Sequence, residues 1–174
     1  DAARGAGRTL DLSGRKTLQV TIPAGATDSQ MLRLRGQGMA GYGGGPPGDA
    51  YVELHVEPHA FFRRKDGDIH VEVPVTPREA VLGARIEVPT IDGPVALTVP
   101  PGSNAGTTLR LRERGVPDRA GGGRGHQFVT LRIVLPRRED KALRAFLETW
   151  RPEQEENPRE EMLRRFRDAR DTIR

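Results

Sequence analysis

Leu18 to Val56 reads LQVTIPAGATDSQMLRLRGQGMAGYGGGPPGDAYVELHV, and Val95 to Ile133 reads VALTVPPGSNAGTTLRLRERGVPDRAGGGRGHQFVTLRI. Pro23 and Pro100, Gly25 and Gly102, Leu32 and Leu109, Gly38 and Gly115, and Gly48 and Gly125 each stand 77 positions apart, without a gap. A constant offset over so long a block marks an internal repeat, and a repeat sets the architecture before any single motif does. The chain is therefore expected to hold two related domains in tandem, residues 1–66 and 67–137. Each is of roughly the size at which a small domain folds with a modest core.

Within each copy, apolar and polar residues alternate with period two, the signature of a half-buried strand. Leu18, Val20 and Ile22 share one face, Leu32 and Leu34 alternate with Arg33 and Arg35, and Val52, Leu54 and Val56 alternate with Glu53 and His55. Further strands are predicted at Ile69–Val75, Arg85–Val88, Val95–Val99, Leu109–Arg112 and Phe128–Leu135. Gly- and Pro-rich stretches at Pro23–Gly25, Gly41–Gly48, Asp92–Pro94, Pro100–Gly102 and Gly121–Gly125 separate them as turns. The predicted fold class is mainly β: two small sandwiches or half-open barrels, followed by a helix.

The similarity extends upstream, where Glu79–Gly83 (EAVLG) matches Asp1–Gly5 (DAARG). In the second copy this short helical turn follows the strand Ile69–Val75. The corresponding strand of the first copy would fall before Asp1, so the first domain is expected to lack its opening strand.

After Pro136 the period changes. Leu143, Phe146, Leu147 and Trp150 fall at i, i+3, i+4 and i+7, an amphipathic helix within 138–151 that Asp140 can cap and Arg151-Pro152 should stop. Its stripe either packs on the second domain or pairs with a second copy. The charged remainder, 152–174, carries a weaker helical pattern with Met162, Phe166, Ala169 and Ile173 on one side.

Composition narrows the functions. The 174 residues include no Cys, which excludes disulfides and thiolate zinc sites and suits a reducing compartment. No stretch approaches the roughly 18 apolar residues that span a membrane. Lys and Arg number 28 against 24 Asp and Glu, a net charge of only +4 that argues weakly for nucleic acid. His55, His59, His70 and His126 show no catalytic or metal-ligand spacing. The glycine tracts lead into strands rather than helices, which favours hairpin connections over phosphate loops. Asp66-Gly67-Asp68 lacks the rest of a calcium loop and reads as a turn. Arg33-Leu-Arg35 and Arg110-Leu-Arg112 are read as solvated faces more readily than as phosphate contacts. No cofactor, metal or catalytic site is expected, and no enzymatic activity.

The series IPAG, LRLRGQG, GGGPPGDAYVEL, EPHAFFRRKDGD, PVTPREAVLGARIEVPTIDG, VPPG and LRLRERG, in this order, resembles the C-terminal substrate-binding half of DnaJ co-chaperones, over Asp1 to about Trp150. The lack of Cys is similar to the branch without the zinc-binding insertion, the curved-DNA-binding-protein type. The resemblance implies a cytoplasmic homodimer that binds unfolded client polypeptide and delivers it to DnaK. It also implies a J domain elsewhere, since no HPD motif occurs in this chain. Departures from the family pattern are Glu113-Arg114, in place of a Gly-basic pair, and His126, in place of Asp.

By the same resemblance, Leu10, Leu12 and Val52 line a shallow groove in which a client strand adds to the sheet, and Arg15 meets an acidic peptide such as a DnaK tail. The residues alone would read Leu10, Leu12 and Val52 as ordinary core. Leu143, Phe146, Leu147 and Trp150 become the dimerisation stripe. Two alternatives stay open beside a client-holding module: a DNA-binding architectural protein and a dimerising scaffold.

Overall fold

The computed structural model describes residues 1–12, 16–118, 122–153 and 157–172. The chain forms two compact units, Asp1–Leu135 and Pro136–Arg174. The first is almost entirely β. Strands β1 (Ala6–Leu12) and β2 (Lys16–Ile22) pair antiparallel, as do β3 (Gln30–Leu34) and β4 (Ala50–Leu54). Next come β5 (Phe62–Lys65), β6 (Asp68–Val75), the helix α1 (Pro77–Leu82), β7 (Ala84–Thr90), β8 (Gly93–Val99), β9 (Thr108–Leu111) and β10 (Gln127–Ile133). Strands β7 and β8 form a third ribbon, while β5, β6, β10 and β9 line up in that order as a four-stranded sheet with β6 and β10 parallel. The mainly β fold class with a C-terminal helix is borne out, and every predicted strand is present with its ends within two residues of those expected.

Strand β5 was not legible in the sequence. Phe62-Arg-Arg-Lys65 has no apolar alternation, and it is a strand because Asp66-Gly67 turns it back onto β6, with Lys65 opposite Asp68. Asp66 takes φ of 54°, the left-handed conformation that a two-residue hairpin of this kind requires. The turn reading of Asp66–Asp68 therefore stands. Though β5 lies before residue 67, it hydrogen-bonds into the sheet of the second copy.

The second copy holds the core. Val71, Val73 and Val75 of β6, Ala80 of α1, Val88 of β7, Leu97 and Val99 of β8, and Val129 and Leu131 of β10 form one buried cluster. Helix α1 is anchored by a capping box: Thr76 Oγ1 accepts the Glu79 N–H, and Glu79 Oε2 accepts the Thr76 N–H at 2.7 Å. The first copy buries fewer aliphatics, chiefly Leu18, Val20 and Ala26. Between the copies Arg64 reaches from β5 to the Pro23–Gly25 turn, its Nη1 donating to the carbonyl of Ala26 at 2.8 Å and to that of Gly25 at 3.3 Å.

Both glycine tracts are hairpin connections, as expected. Gly38 N–H donates to the Gly48 carbonyl at 2.8 Å, and Gly115 N–H to the Gly125 carbonyl at 2.9 Å, the same bond 77 residues on. Here glycine is a matter of space: a Cβ on Gly125 would lie 1.9 Å from the Gly67 carbonyl oxygen.

The second unit contains α2 (Lys141–Thr149) and α3 (Glu160–Thr172). Asp140 caps α2, its Oδ1 accepting the N–H groups of Ala142 and Leu143 at 3.0 Å each. Trp150 is the C-cap, one residue before Arg151-Pro152. Ile173, assigned to the apolar side of the tail, lies outside the described residues.

Candidate functional site

The chain's first residues fold as the end of α1 does. Gly25 and Ala26 N–H donate to the carbonyls of Ala3 (3.2 Å) and Ala2 (3.0 Å), and Gly102 and Ser103 N–H donate to those of Val81 (3.1 Å) and Ala80 (3.0 Å). Gly5 and Gly83 follow, both in the left-handed region at φ of 79° and 76°. Here the equivalence runs at 78, one more than in the repeat core, and it aligns β1 on β7: Ala6 faces Ile22 as Ala84 faces Val99. Leu10 is thus the counterpart of Val88, and Val52 and Leu54 are the counterparts of Val129 and Leu131.

These equivalent residues have unequal surroundings. Val88 and Val129 are 0% exposed and Leu131 1%, whereas Leu10 is 37% exposed and Val52 and Leu54 are half-buried. The cause is visible in the sheet. Strand β10 is flanked by β9 on one side and β6 on the other, but β4 pairs with β3 alone among the described strands. The aliphatic face of the first copy is therefore covered less completely. An incompletely covered aliphatic face beside a free strand edge can take up an extended polypeptide through backbone hydrogen bonds and side-chain contacts.

Of the residues the sequence singled out, Leu10 lies on β1 opposite Leu18, and Val52 on β4 opposite Leu32. They belong to two separate two-stranded ribbons. Leu12 ends β1 opposite Lys16, and Arg15 lies outside the described residues. Leu54 and Leu34 share the half-buried state of Val52 and were not singled out; the only sequence signal for them was the alternation itself. On the other face, Arg33 Nε donates to Asp49 Oδ2 at 2.6 Å. The Asp49 carboxyl also accepts the Gly36 N–H, which holds it below the usual carboxylate range, with Arg33 adding to the effect.

His59 and His70 make structural contacts. His59 Nδ1 accepts the N–H groups of Phe61 and Phe62 at 3.3 Å each, and His70 stacks on Phe128 with ring centroids 5.1 Å apart. Among the described residues no group of three or more His, Cys, Asp or Glu side chains could hold a metal. No described helix is long and apolar enough to cross a membrane.

On α2 the stripe is open to solvent: Phe146, Leu147 and Trp150 are each at least half exposed, and Leu143 is half-buried. A helix of this length is marginal unless an apolar face is covered.

The family model for the DnaJ C terminal domain matches residues 1–136. The chain is 42% identical over 151 residues to a Curved DNA-binding protein of Coxiella burnetii, covering 87% of this chain and 47% of that relative. It is 50% identical over 130 residues to a Chaperone protein DnaJ of Parageobacillus thermoglucosidasius, covering 75% and 34%. It is 45% identical over 157 residues to a Chaperone protein DnaJ of Shouchella clausii, covering 87% and 42%. The chain spans less than half the length of these curated relatives. The family match runs through both repeat copies, their turns and their strands, and the chain belongs to the DnaJ C-terminal domain family.

Proposed function

We propose that this chain is the client-holding part of a DnaJ-type co-chaperone, which binds unfolded, apolar-rich polypeptide by strand addition at the first repeat copy. What supports this reading is the family match over residues 1–136 and the relatives named Chaperone protein DnaJ, together with the aliphatic residues Leu10 on β1 and Val52 on β4. Leu12 extends the apolar line of β1, and Arg15 supplies a positive charge for acidic peptide segments. The two copies, expected as domains 1–66 and 67–137, act side by side, with β5 of the first stretch paired into the sheet of the second. The exposed stripe Leu143, Phe146, Leu147 and Trp150 joins two chains, so that two client sites act together and raise each other's effective concentration. In the longer protein, clients pass to DnaK in the cytoplasm.

The test is aggregation of a denatured client, followed by light scattering without ATP. The chain slows aggregation at near-stoichiometric ratios, and Val52→Asp, which puts a charge on the aliphatic face, weakens the protection several-fold. Equal protection by the substituted chain would place the client elsewhere and sink the groove assignment.

A second reading, duplex DNA binding, is favoured by the printed name of the Coxiella relative. Against it, Arg8, Arg33 and Arg124 are each engaged by a carboxylate, of Asp1, Asp49 and Asp92. Binding through phosphates would show a steep loss of affinity with salt. A flat, weak signal across low salt removes this reading.

A further inference from the structure

The four-stranded sheet assembles a row of side chains that no single strand carries. Register sets Arg63 of β5 opposite His70 of β6, His70 opposite Phe128 of β10, and Phe128 opposite Arg110 of β9. Their neighbours in sequence Phe62, Val71, Val129 and Leu109 belong to the core or pack against it, so the row lies on the other face of the sheet. His70 and Phe128 are half-buried, and both arginines are exposed. The two rings stack with centroids 5.1 Å apart and planes 19° apart, and His126 meets Phe128 edge-on at 6.5 Å. Two positions along, Lys65 and Arg112 add an exposed cation on each outer side. Strand spacing puts the cations of β5 about 14 Å from those of β9, with the rings between them.

The internal repeat explains why Arg110 is unpaired. At the offset of 77, Arg33, Asp49 and Tyr51 correspond to Arg110, His126 and Phe128. Arg33 Nε donates to Asp49 Oδ2 at 2.6 Å, so in the first copy the cation is neutralised. In the second copy His126 stands in place of that carboxylate, and its Nδ1 is taken up by the Glu113 N–H. Arg63, Lys65, Arg110 and Arg112 form no ion pair with a described residue. The carboxylates of this face are already engaged: Asp68 Oδ1 accepts the His126 N–H at 2.6 Å, and Glu72 pairs with Arg132 at 2.7 Å. The face is therefore positive on both sides of an aromatic centre.

We propose that this face binds single-stranded nucleic acid, with bases stacking against the His70–Phe128 pair and backbone phosphates meeting Arg63, Lys65, Arg110 and Arg112. The charge requires a polyanion, and the rings select among polyanions. A duplex keeps its bases stacked on one another, whereas a single strand offers open π-faces to side chains on a sheet. An acidic peptide would meet the cations and leave the rings without a counterpart. Arginine serves here better than lysine, because its planar guanidinium both contacts phosphate and stacks on a base. Arg110 and Arg112 lie about 7 Å apart along the strand, so that successive phosphates of an extended strand can meet successive cations. The site lies on the second copy and goes beyond the client-holding reading, which uses the first.

The test is fluorescence anisotropy with labelled mixed-sequence oligonucleotides of about ten nucleotides, as RNA, as DNA and as the DNA duplex. A single strand should bind at least about tenfold tighter than the duplex, with affinity falling as salt rises. The tighter of RNA and DNA names the natural class. His126→Asp rebuilds the pair that neutralises Arg33; it should lower affinity several-fold and reduce the salt slope by about one, at an unchanged melting temperature. Phe128→Leu keeps apolar cover on β10 but removes the ring, and should lower affinity at least about tenfold. Arg63→Ala alters an exposed side chain away from the core and should lower affinity several-fold. Absence of binding overturns the proposal, as does full binding by all three variants. So does a duplex that binds as tightly as the single strands, or an acidic peptide of equal charge that displaces the oligonucleotide equally well. His126→Asp leaves client protection at Leu10 and Val52 unchanged, so failure of either idea can be told from failure of the other.

Discussion

His126 Nδ1 accepts the backbone N–H of Glu113 at 3.1 Å, as Asp49 Oδ1 in the first copy accepts that of Gly36 at 2.8 Å. The positions correspond at the offset of 77, and Gly36 and Glu113 both take left-handed backbone, φ 65° and 54°. The second copy thus departs from the family pattern at two residues and keeps one hydrogen bond. Imidazole replaces carboxylate as the acceptor, while a Glu bears a conformation that suits Gly. His126→Asp should leave stability nearly unchanged, and His126→Leu should lower it by about 1 kcal/mol as the turn N–H loses its partner. Glu113→Gly should raise stability by up to about 1 kcal/mol by relieving the left-handed strain. Urea unfolding of the three variants checks all of this, and an unaffected His126→Leu would show the bond to be idle.

Gly125→Ala should be among the most damaging single changes in the chain. The new Cβ would meet the Gly67 carbonyl oxygen at 1.9 Å and force the β9–β10 connection off the β5–β6 turn. A loss of more than about 3 kcal/mol is expected, in the range reserved for overpacking against backbone. Gly7→Ala is the control: it has open space and an ordinary φ, and should be neutral or mildly stabilising. Thermal melts of the two variants should differ by many degrees.

Val88→Ala and Leu10→Ala remove methyl groups from equivalent positions in the two copies. The first empties a fully buried site and should cost about 2 kcal/mol, whereas the second, on a side chain already 37% exposed, should cost less than about 1 kcal/mol although it deletes more carbon. Chemical denaturation gives both numbers. A larger loss at Leu10 would mean that this face is covered in solution.

Acid should weaken the fold through its caps. The Glu79 carboxyl lies below its ordinary value of 4.5, chiefly because it accepts the Thr76 N–H, and Asp28 lies below 3.8, chiefly through the Val56 N–H. A carboxyl with a lowered folded pKa contributes stability that is fully present above its unfolded value and is lost as pH falls through the folded one. Stability should therefore decline from about pH 4.5 downward. Glu79→Gln should flatten its share of that slope, which a series of melts between about pH 2 and 6 reads directly.

The stripe on α2 gives the last prediction. With Trp150 half exposed at the C-cap of α2, at the end of the stripe that Phe146 and Leu147 also form, Trp150→Ala should weaken the proposed self-association at least about tenfold in sedimentation equilibrium. An unchanged mass would remove α2 from the dimer contact.

Much of the fold is legible in the residues because strands and turns are local matters. The offset of 77, the alternation in Leu18–Ile22 and Val52–Val56, the Gly tracts as hairpins and the Asp140 cap all follow from period and turn chemistry. Strand β5 is the exception, since Phe62–Lys65 has no period and becomes a strand only by folding back on β6. The candidate site is legible as residue types and not as a state. Leu10 and Val88, or Val52 and Val129, read alike in sequence, and nothing local separates a covered side chain from an open one. The neighbour decides that. Strand β6 lies beside β10, while among the described residues β4 pairs with β3 alone, and the same aliphatic alternation is buried in one copy and half-buried in the other. Burial depends on which distant segments share a sheet, and sheet neighbours are set by tertiary packing.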